Sequence, residues 1–480
     1  MRAMWLAVVA ALLAPTLACA QDPSIGETRY GQLCAACHGG NLAGGEGPAL
    51  MGRGLTHGDS AALMTRVVRE GLPPKMPAFN NQLSHDEIEA VVSFVRRKRR
   101  VEGSGGTKVP TGVVHTDLHD FQVEALARLP SAFAFAFLPD GRILLTEGIG
   151  RLRIMERGKL LPEPVIGAPT GKSGLAASSQ NQAVQDVVLH PNYRQNGWIY
   201  VGTTEPAPGG LQGAYETLII KVHRGRIEKG RWVDETVIAE IPNNYGGAKR
   251  MAFDAQGHLY VSVPYSAVGY DGPLTAAASQ DLTVPGGKIL RMNDDGSVPA
   301  DNPFADKQGI TRYIWTFGHR VALGLAFSPA GELWETENGP RGGDEINRLS
   351  PGKNYGWAVV TWGHRYDDKP VGANPDGRGY EQPVVAYVPA PSLSAITFYT
   401  GDAFPRWKGA MLMATLKQRN LYRIRFEDGR LASQEVILRD MDRIRDVGQG
   451  PDGLIYVLTD SGAFARLVPA EAKRAPVAAR

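Results

Sequence analysis

The chain has 480 residues, of which 43% are hydrophobic and 21% charged, and its formal net charge is +3. That balance leaves no basic footprint for nucleic acid, and no Gly-rich phosphate loop or dinucleotide fingerprint occurs. The length exceeds one ordinary core, while 57 Gly and 33 Pro lean towards many short strands joined by turns.

Residues 1–20 read as an export signal. Arg2 gives the positive start, Met4 to Leu13 is a short apolar run, and Ala18-Cys19-Ala20 resembles a small-residue cleavage site before Gln21. The run is too short to span a bilayer and no later stretch is long enough, so no transmembrane segment is expected in the mature chain. The expected location is periplasmic or secreted. Lipid attachment at Cys19 is the alternative, although Thr16 stands where such sites usually carry Leu.

After cleavage two cysteines remain, in Cys34-Ala35-Ala36-Cys37-His38. C-x-x-C-H is the attachment signature for haem c: one helical turn sets both thiols against the two vinyl groups, and the next residue brings an imidazole under the iron. The rival uses are a redox dithiol or half a zinc site, but no second cysteine pair is available to complete the latter. The sixth ligand should come from later in the same module. Met76, in Pro73-Pro74-Lys75-Met76-Pro77, is the candidate because the prolines fix an extended loop, with Met51 and Met64 as competitors. His/Met ligation raises the haem potential and suits an electron acceptor. Ser84 and Glu87 form a capping box, and Ile88, Val91, Val92 and Val95 make one apolar helical stripe ending in the basic run 96–100. Residues 22–100 thus make a small all-α module that resembles a class I cytochrome c domain.

Residues 101–120, with Glu102-Gly103-Ser104-Gly105-Gly106-Thr107, read as a flexible linker. A unit then recurs: an apolar strand, a Pro/Asp/Gly turn, and a second β-rich strand. Copies begin at Phe137, Leu189, Phe253, Phe327 and Gly450, with a weaker one at Phe404. Six copies over 121–469 match one hairpin-bearing sheet per repeat, and sheets arranged radially bury both faces and leave few edges. An all-β six-bladed propeller is expected, with a pair of β-sandwiches as the alternative. Residues 470–480 read as a polar, Ala-rich disordered tail.

Within this large domain Phe317-Gly318-His319-Arg320, Glu337 to Asn347, and Gly352-Lys353-Asn354-Tyr355-Gly356-Trp357 resemble the soluble pyrroloquinoline quinone (PQQ)-dependent glucose/sorbosone dehydrogenases. Gly287 to Arg291, Asp295 to Phe304, Leu416-Lys417 and Arg443 to Val447 continue the likeness over about 125–467. The resemblance implies that Arg320, Lys417, Arg443 and Arg445 surround PQQ, whose three carboxylates call for fixed cations. It implies a PQQ-bound calcium on the carbonyls of Gly339 and Pro340, and a second, structural calcium at Glu345 and Tyr355. It also implies a histidine base just before a Gly/Arg segment that opens an apolar repeat. There the sequence reads Asn243-Asn244-Tyr245-Gly246-Gly247-Ala248-Lys249-Arg250, with no histidine. Tyr245, its pKa lowered by Lys249, is the weak substitute, and His319 is a further candidate. Val321 and Ser262-Val263-Pro264-Tyr265 also depart from the family on the substrate side.

The expected whole is an exported quinohaemoprotein dehydrogenase. It would oxidise a sugar or related alcohol at PQQ, pass electrons to its own haem c, and hand them to a downstream respiratory acceptor. The alternative is a haem c electron-transfer protein whose propeller only binds.

Overall fold

The computed structural model describes residues 23–39, 42, 50, 61–72, 76–103, 109–129, 132–148, 150–171, 183–207, 218–243, 250–265, 278–364, 371–373 and 379–470. The export signal, Met51, Tyr245, Lys249 and the tail from 471 lie outside the described residues. The chain divides into two compact units, the first ending at Val95. Among the described residues, no helix is long and apolar enough to cross a membrane.

The first unit contains α1 (Pro23–Leu33), α2 (Ala35–His38), α3 (Ala61–Glu70) and most of α4 (His85–Gly103). The capping box forms as expected: Ser84 N–H donates to Glu87 Oε2 at 2.9 Å, and Glu87 N–H donates to Ser84 Oγ at 3.3 Å. Ile88, Val91, Val92 and Val95 are all buried. Helix α1 crosses α4 closely at Gly26, where a Cβ would stand 2.1 Å from the Ala90 carbonyl oxygen, so only glycine permits the approach. The rings of Tyr30 and Phe94 meet beside that crossing at 5.2 Å.

The second unit is a six-bladed β-propeller. Its leading strands are β1 (Val113–Val114) and β2 (Phe121–Arg128). Blade one is β3 (Ala132–Phe137), β4 (Ile143–Glu147), β5 (Arg151–Glu156) and β6 (Lys159–Leu160). Blade two is β7 (Val184–Leu189), β8 (Ile199–Pro206), β9 (Leu218–Glu228) and β10 (Arg231–Asn243). Blade three is β11 (Met251–Phe253), β12 (Leu259–Val263), β13 (Lys288–Met292) and β14 (Ile314–Phe317). Blade four is β15 (Ala322–Phe327), β16 (Leu333–Glu337), β17 (Asp344–Leu349) and β18 (Val385–Tyr387). Blade five is β19 (Leu393–Phe398), β20 (Met411–Thr415), β21 (Leu421–Glu427) and β22 (Arg430–Leu438). Blade six joins β23 (Ile444–Gln449), β24 (Ile455–Thr459) and β25 (Ala463–Pro469) to β2 and β1, so the start of the unit closes its last sheet.

The inner strands β3, β7, β11, β15, β19 and β23 each pack on the next, and β23 returns to β3. Each repeat read from sequence is the hairpin between an inner strand and its neighbour. Its turn glycine takes positive φ in all six blades: Gly141, Gly197, Gly257, Gly331, Gly409 and Gly453. Apolar clusters fill every blade-to-blade interface, such as Leu144, Val187 and Trp232 between blades one and two. Others join Phe135 and Leu145 to Tyr456 and Phe464 between blades one and six. Two details differ from expectation. Helix α4 runs to Gly103, and β1 lies inside the stretch read as linker, with Val114 opposite Phe121.

Candidate active site

In every blade the chain enters an inner strand from one face and returns to that face at the end of the second strand. The segments before β11, β15, β19 and β23 and the turns after β12, β16, β20 and β24 therefore share this entry face. That rule gathers residues far apart in sequence. Arg320 precedes β15, Gly339 and Pro340 follow β16, Lys417 follows β20, and Arg443 and Arg445 straddle the start of β23.

Arg320 is held on all sides. Its Nη1 donates to the carbonyls of Asn338 (2.8 Å) and Gly339 (3.1 Å), and its guanidinium lies 5.3 Å from the ring centroids of both Tyr265 and Trp357. Such a sandwich fixes a flat cation by charge–quadrupole attraction while leaving its plane set. Asp344 ties the Gly339 turn to blade five: it accepts N–H bonds from Gly339 (3.0 Å), Ser392 (2.6 Å) and Leu393 (3.2 Å). Burial pushes its carboxyl up to about 7 against those three donors. Leu416 N–H in turn donates to Ser392 O at 2.7 Å, and Lys417 N–H to Pro391 O at 3.0 Å. The exposed Lys417 is thereby hung from the same scaffold as Gly339.

Arg443 and Arg445 are less available than the sequence suggests. Both pair with Asp460, Arg443 Nε at 2.7 Å and Arg445 through Nε and Nη2. Two cations thus share one carboxylate. Tyr355 has no side-chain donor to offer a metal, because its hydroxyl donates to Arg348 O (2.7 Å) and accepts from Ser350 N–H (3.0 Å). Any calcium role belongs to its backbone carbonyl. Glu345 is buried, and burial together with the Glu337 charge raises its carboxyl well above the usual range.

Sequence reasoning missed the floor of this face. Phe133, Ala134, Tyr265, Val321, Leu323 and Trp357 form one buried cluster, which gives the departures at Val321 and Tyr265 a physical reason: they pack apolar surface together. Below it Arg250 spans the centre. Its Nη1 lies 3.6 Å from Asp186 Oδ1 and 3.3 Å from Asp446 Oδ1, while Nε donates to Leu323 O and Nη2 to Arg445 O. A cavity of about 250 Å³ opens beneath it, along the far ends of the inner strands. Asp186 and Asp446 each follow a register slip, of the kind that also occurs in β3, β15 and β19. Such bulges re-aim a strand residue into the channel. The available signal was an aspartate two residues into each strand, Val184-Gln185-Asp186 and Ile444-Arg445-Asp446.

In the first unit Cys34 precedes α2 and His38 N–H donates to Cys34 O at 2.9 Å, giving the single turn that C-x-x-C-H requires. Cys34 is buried, and burial with the neighbouring Cys37 pushes its thiol up to about 11, the reverse of a reactive redox dithiol. Met76 is half-buried and sits on a closed loop: its N–H donates to Leu72 O at 3.0 Å, and Leu72 N–H returns to Met76 O at 2.8 Å.

The second unit is thus a six-bladed propeller and the first carries the C-x-x-C-H turn, an arrangement that fits a cytochrome-linked dehydrogenase family. Residues 129–467 match the family model described as glucose/sorbosone dehydrogenase, and the chain belongs to that family of oxidoreductases. Residues 21–95 match the model described as cytochrome c oxidase, cbb3-type, subunit III, which marks a cytochrome c domain. The chain is 35% identical over 364 residues to the aldose sugar dehydrogenase YliI of Escherichia coli, covering 71% of this chain and 91% of that one. It is 25% identical over 415 residues to quinoprotein glucose dehydrogenase B of Acinetobacter calcoaceticus, covering 70% and 84%. The crystal structure of the soluble aldose sugar dehydrogenase from Escherichia coli in the apo form superposes with a TM-score of 0.64 at 33% identity, over 73% of this chain and 99% of that one.

Proposed function

We propose that the chain is an exported quinohaemoprotein dehydrogenase that oxidises a sugar or related alcohol with PQQ and delivers the electrons to a haem c on Cys34 and Cys37. The reading rests on one observation above others: Arg320, Lys417, Arg443 and Arg445 converge on the entry face, and Asp460 is the carboxylate paired with two of them. A tricarboxylate with a planar ring system fits this charge and the fixed Arg320 fork. When bound, PQQ supplies an ortho-quinone that accepts two electrons and protons from an alcohol.

The remaining chemistry falls to the chain. The carbonyls of Gly339 and Pro340 suit a hard cation such as calcium, and Glu345 with the Tyr355 carbonyl suits a second. Tyr265 and Trp357 keep Arg320 oriented, and the apolar cluster around Val321 excludes water from below. Tyr245, just before β11, is the candidate base. Residues 22–100 would act as a small all-α cytochrome c domain in which His38 and Met76 would hold the haem iron. Carrying the acceptor on the same chain raises its effective concentration. A downstream respiratory carrier would be the final acceptor.

The direct test is PQQ binding to the calcium-loaded haem protein, followed by the change in PQQ fluorescence. Removing one charged donor costs about 1.5–3 kcal/mol, roughly 10- to 100-fold in Kd. Lys417→Ala and Arg320→Lys are each expected to weaken binding by that factor. Unchanged affinity in both variants would sink the cofactor assignment.

A further inference from the structure

Beneath the Gly339 turn lies a buried polar cluster, and its Glu337 lines the same small cavity as Gly339, Glu345 and Tyr355. His319 and Glu335 are 1% and 0% exposed and Glu337 is 4% exposed; one donor atom from each lies within 4.8 Å of the other two. His319 Nδ1 stands 3.7 Å from Glu335 Oε2 and 3.7 Å from Glu337 Oε1. That is too long for a hydrogen bond, and Nδ1 has no hydrogen-bond partner. Glu335 Oε1 and Asn347 Oδ1 are likewise buried without one. Among the described residues, no lysine or arginine side chain pairs with Glu335, Glu337 or the adjacent Glu345. Instead, the Asn347 amide nitrogen sits among all three carboxylates, at 3.1, 3.2 and 3.4 Å. Two N–H bonds cannot satisfy three carboxyl groups, and burial together with the Glu337 charge holds Glu335 and Glu345 well above the usual carboxylate range.

We propose that His319 Nδ1, Glu335 and Glu337 hold a divalent transition cation of the zinc type, with Asn347 Oδ1 as the fourth donor once its amide turns by half a rotation. Four ligands at zinc distances stand roughly 3.4 Å apart in a tetrahedron, so the two 3.7 Å separations, within a set spanning at most 4.8 Å, require the carboxylates to close on the ion. The imidazole donor separates this site from calcium, which takes oxygen ligands throughout. It also separates the site from the pair expected at Glu345 and Tyr355. Second contacts already orient the imidazole: its Nε2 lies 2.9 Å from Thr316 Oγ1, and its ring stacks on Tyr355 at 4.8 Å. With Nε2–H donating to Thr316 Oγ1, Nδ1 carries the lone pair that a cation needs. Because Glu337 Oε2 also accepts the Arg320 N–H, the cation would brace the residue that fixes the entry face.

The test is elemental analysis of the exported, haem-loaded protein, with chain concentration taken from amino-acid analysis. One zinc-type ion per chain is expected beyond haem iron and calcium. It should disappear in Glu335→Gln and His319→Gln while iron and calcium stay. A wild-type protein with no such ion, which also takes up none when dialysed against zinc chloride after chelation, overturns the proposal. So does retention of the ion in both variants. Thermal melts provide a second readout whose sign differs. With the ion, Glu335→Gln lowers the melting temperature; without it, removing a buried negative charge raises it. Neither measurement depends on PQQ or on sugar oxidation, so failure of the proposed activity would leave the result readable.

Discussion

Lys288 shows how one side chain organises the entry face. Its ammonium is fully buried and donates to the carbonyls of Ala278 (2.7 Å), Ser279 (3.2 Å) and Gly286 (2.6 Å), closing the loop that leads into β13. Gln280 in that loop reaches Trp357 O at 2.7 Å, so Lys288 supports the aromatic wall of Arg320 at one remove. Burial pulls its pKa down to about 7 from 10.5. Across that window the unfolded chain keeps a proton that the folded chain releases, so this residue makes stability climb with pH. The stability gap between wild type and Lys288→Met, measured by urea unfolding from pH 7 to 10, should therefore widen in favour of wild type. A flat difference would mean that the three carbonyls hold the ammonium charged. None of this was visible in Gly287-Lys288-Ile289, because the acceptors are loop carbonyls whose positions no residue type announces. The haem turn was visible, since its chemistry needs only a local spacing.

At the scale of the element, the inner strands carry both the core and the central plug. Arg250 binds to Asp186 in blade two, Leu323 in blade four and Arg445 with Asp446 in blade six. The same carboxylates accept strand N–H groups, Met251 on Asp186 at 2.7 Å and Phe135 on Asp446 at 3.0 Å. Replacing Arg250 leaves two buried carboxylates without their cation, a loss of about 3–5 kcal/mol. Arg250→Met should thus lower the unfolding free energy by that amount. Adding Asp446→Asn should recover part of it, since burial and Asp186 already push that carboxyl up to about 6 against the pull of Arg250. A variant with wild-type stability would contradict the plug. The six hairpins were legible because turn glycines and alternating apolar runs are written locally. The bulges at Asp186 and Asp446 were not, because a one-residue slip is decided by pairing with the neighbouring strand.

For the whole molecule, ring closure by β2 against β25 and the shared entry face explain why motifs far apart in sequence lie on one face. Gly339, Arg320 and Lys417 come from blades four and five, and Asp344 joins them through Ser392. The sequence placed these residues by family likeness, whereas the fold supplies the mechanical reason. It also adds what likeness did not carry, namely the shared Asp460 and the His319 cluster. The central claim is that oxidation at the propeller reduces the haem of the same chain, and its most direct measurement is the haem absorbance itself. Purified full-length protein loaded with calcium and PQQ should show reduced-haem bands on addition of an aldose or polyol, at a rate independent of protein concentration. Reduction should vanish without PQQ. Haem that stays oxidised while an added dye is reduced by the same sugar would contradict the internal path, and no reduction of either would contradict the dehydrogenase.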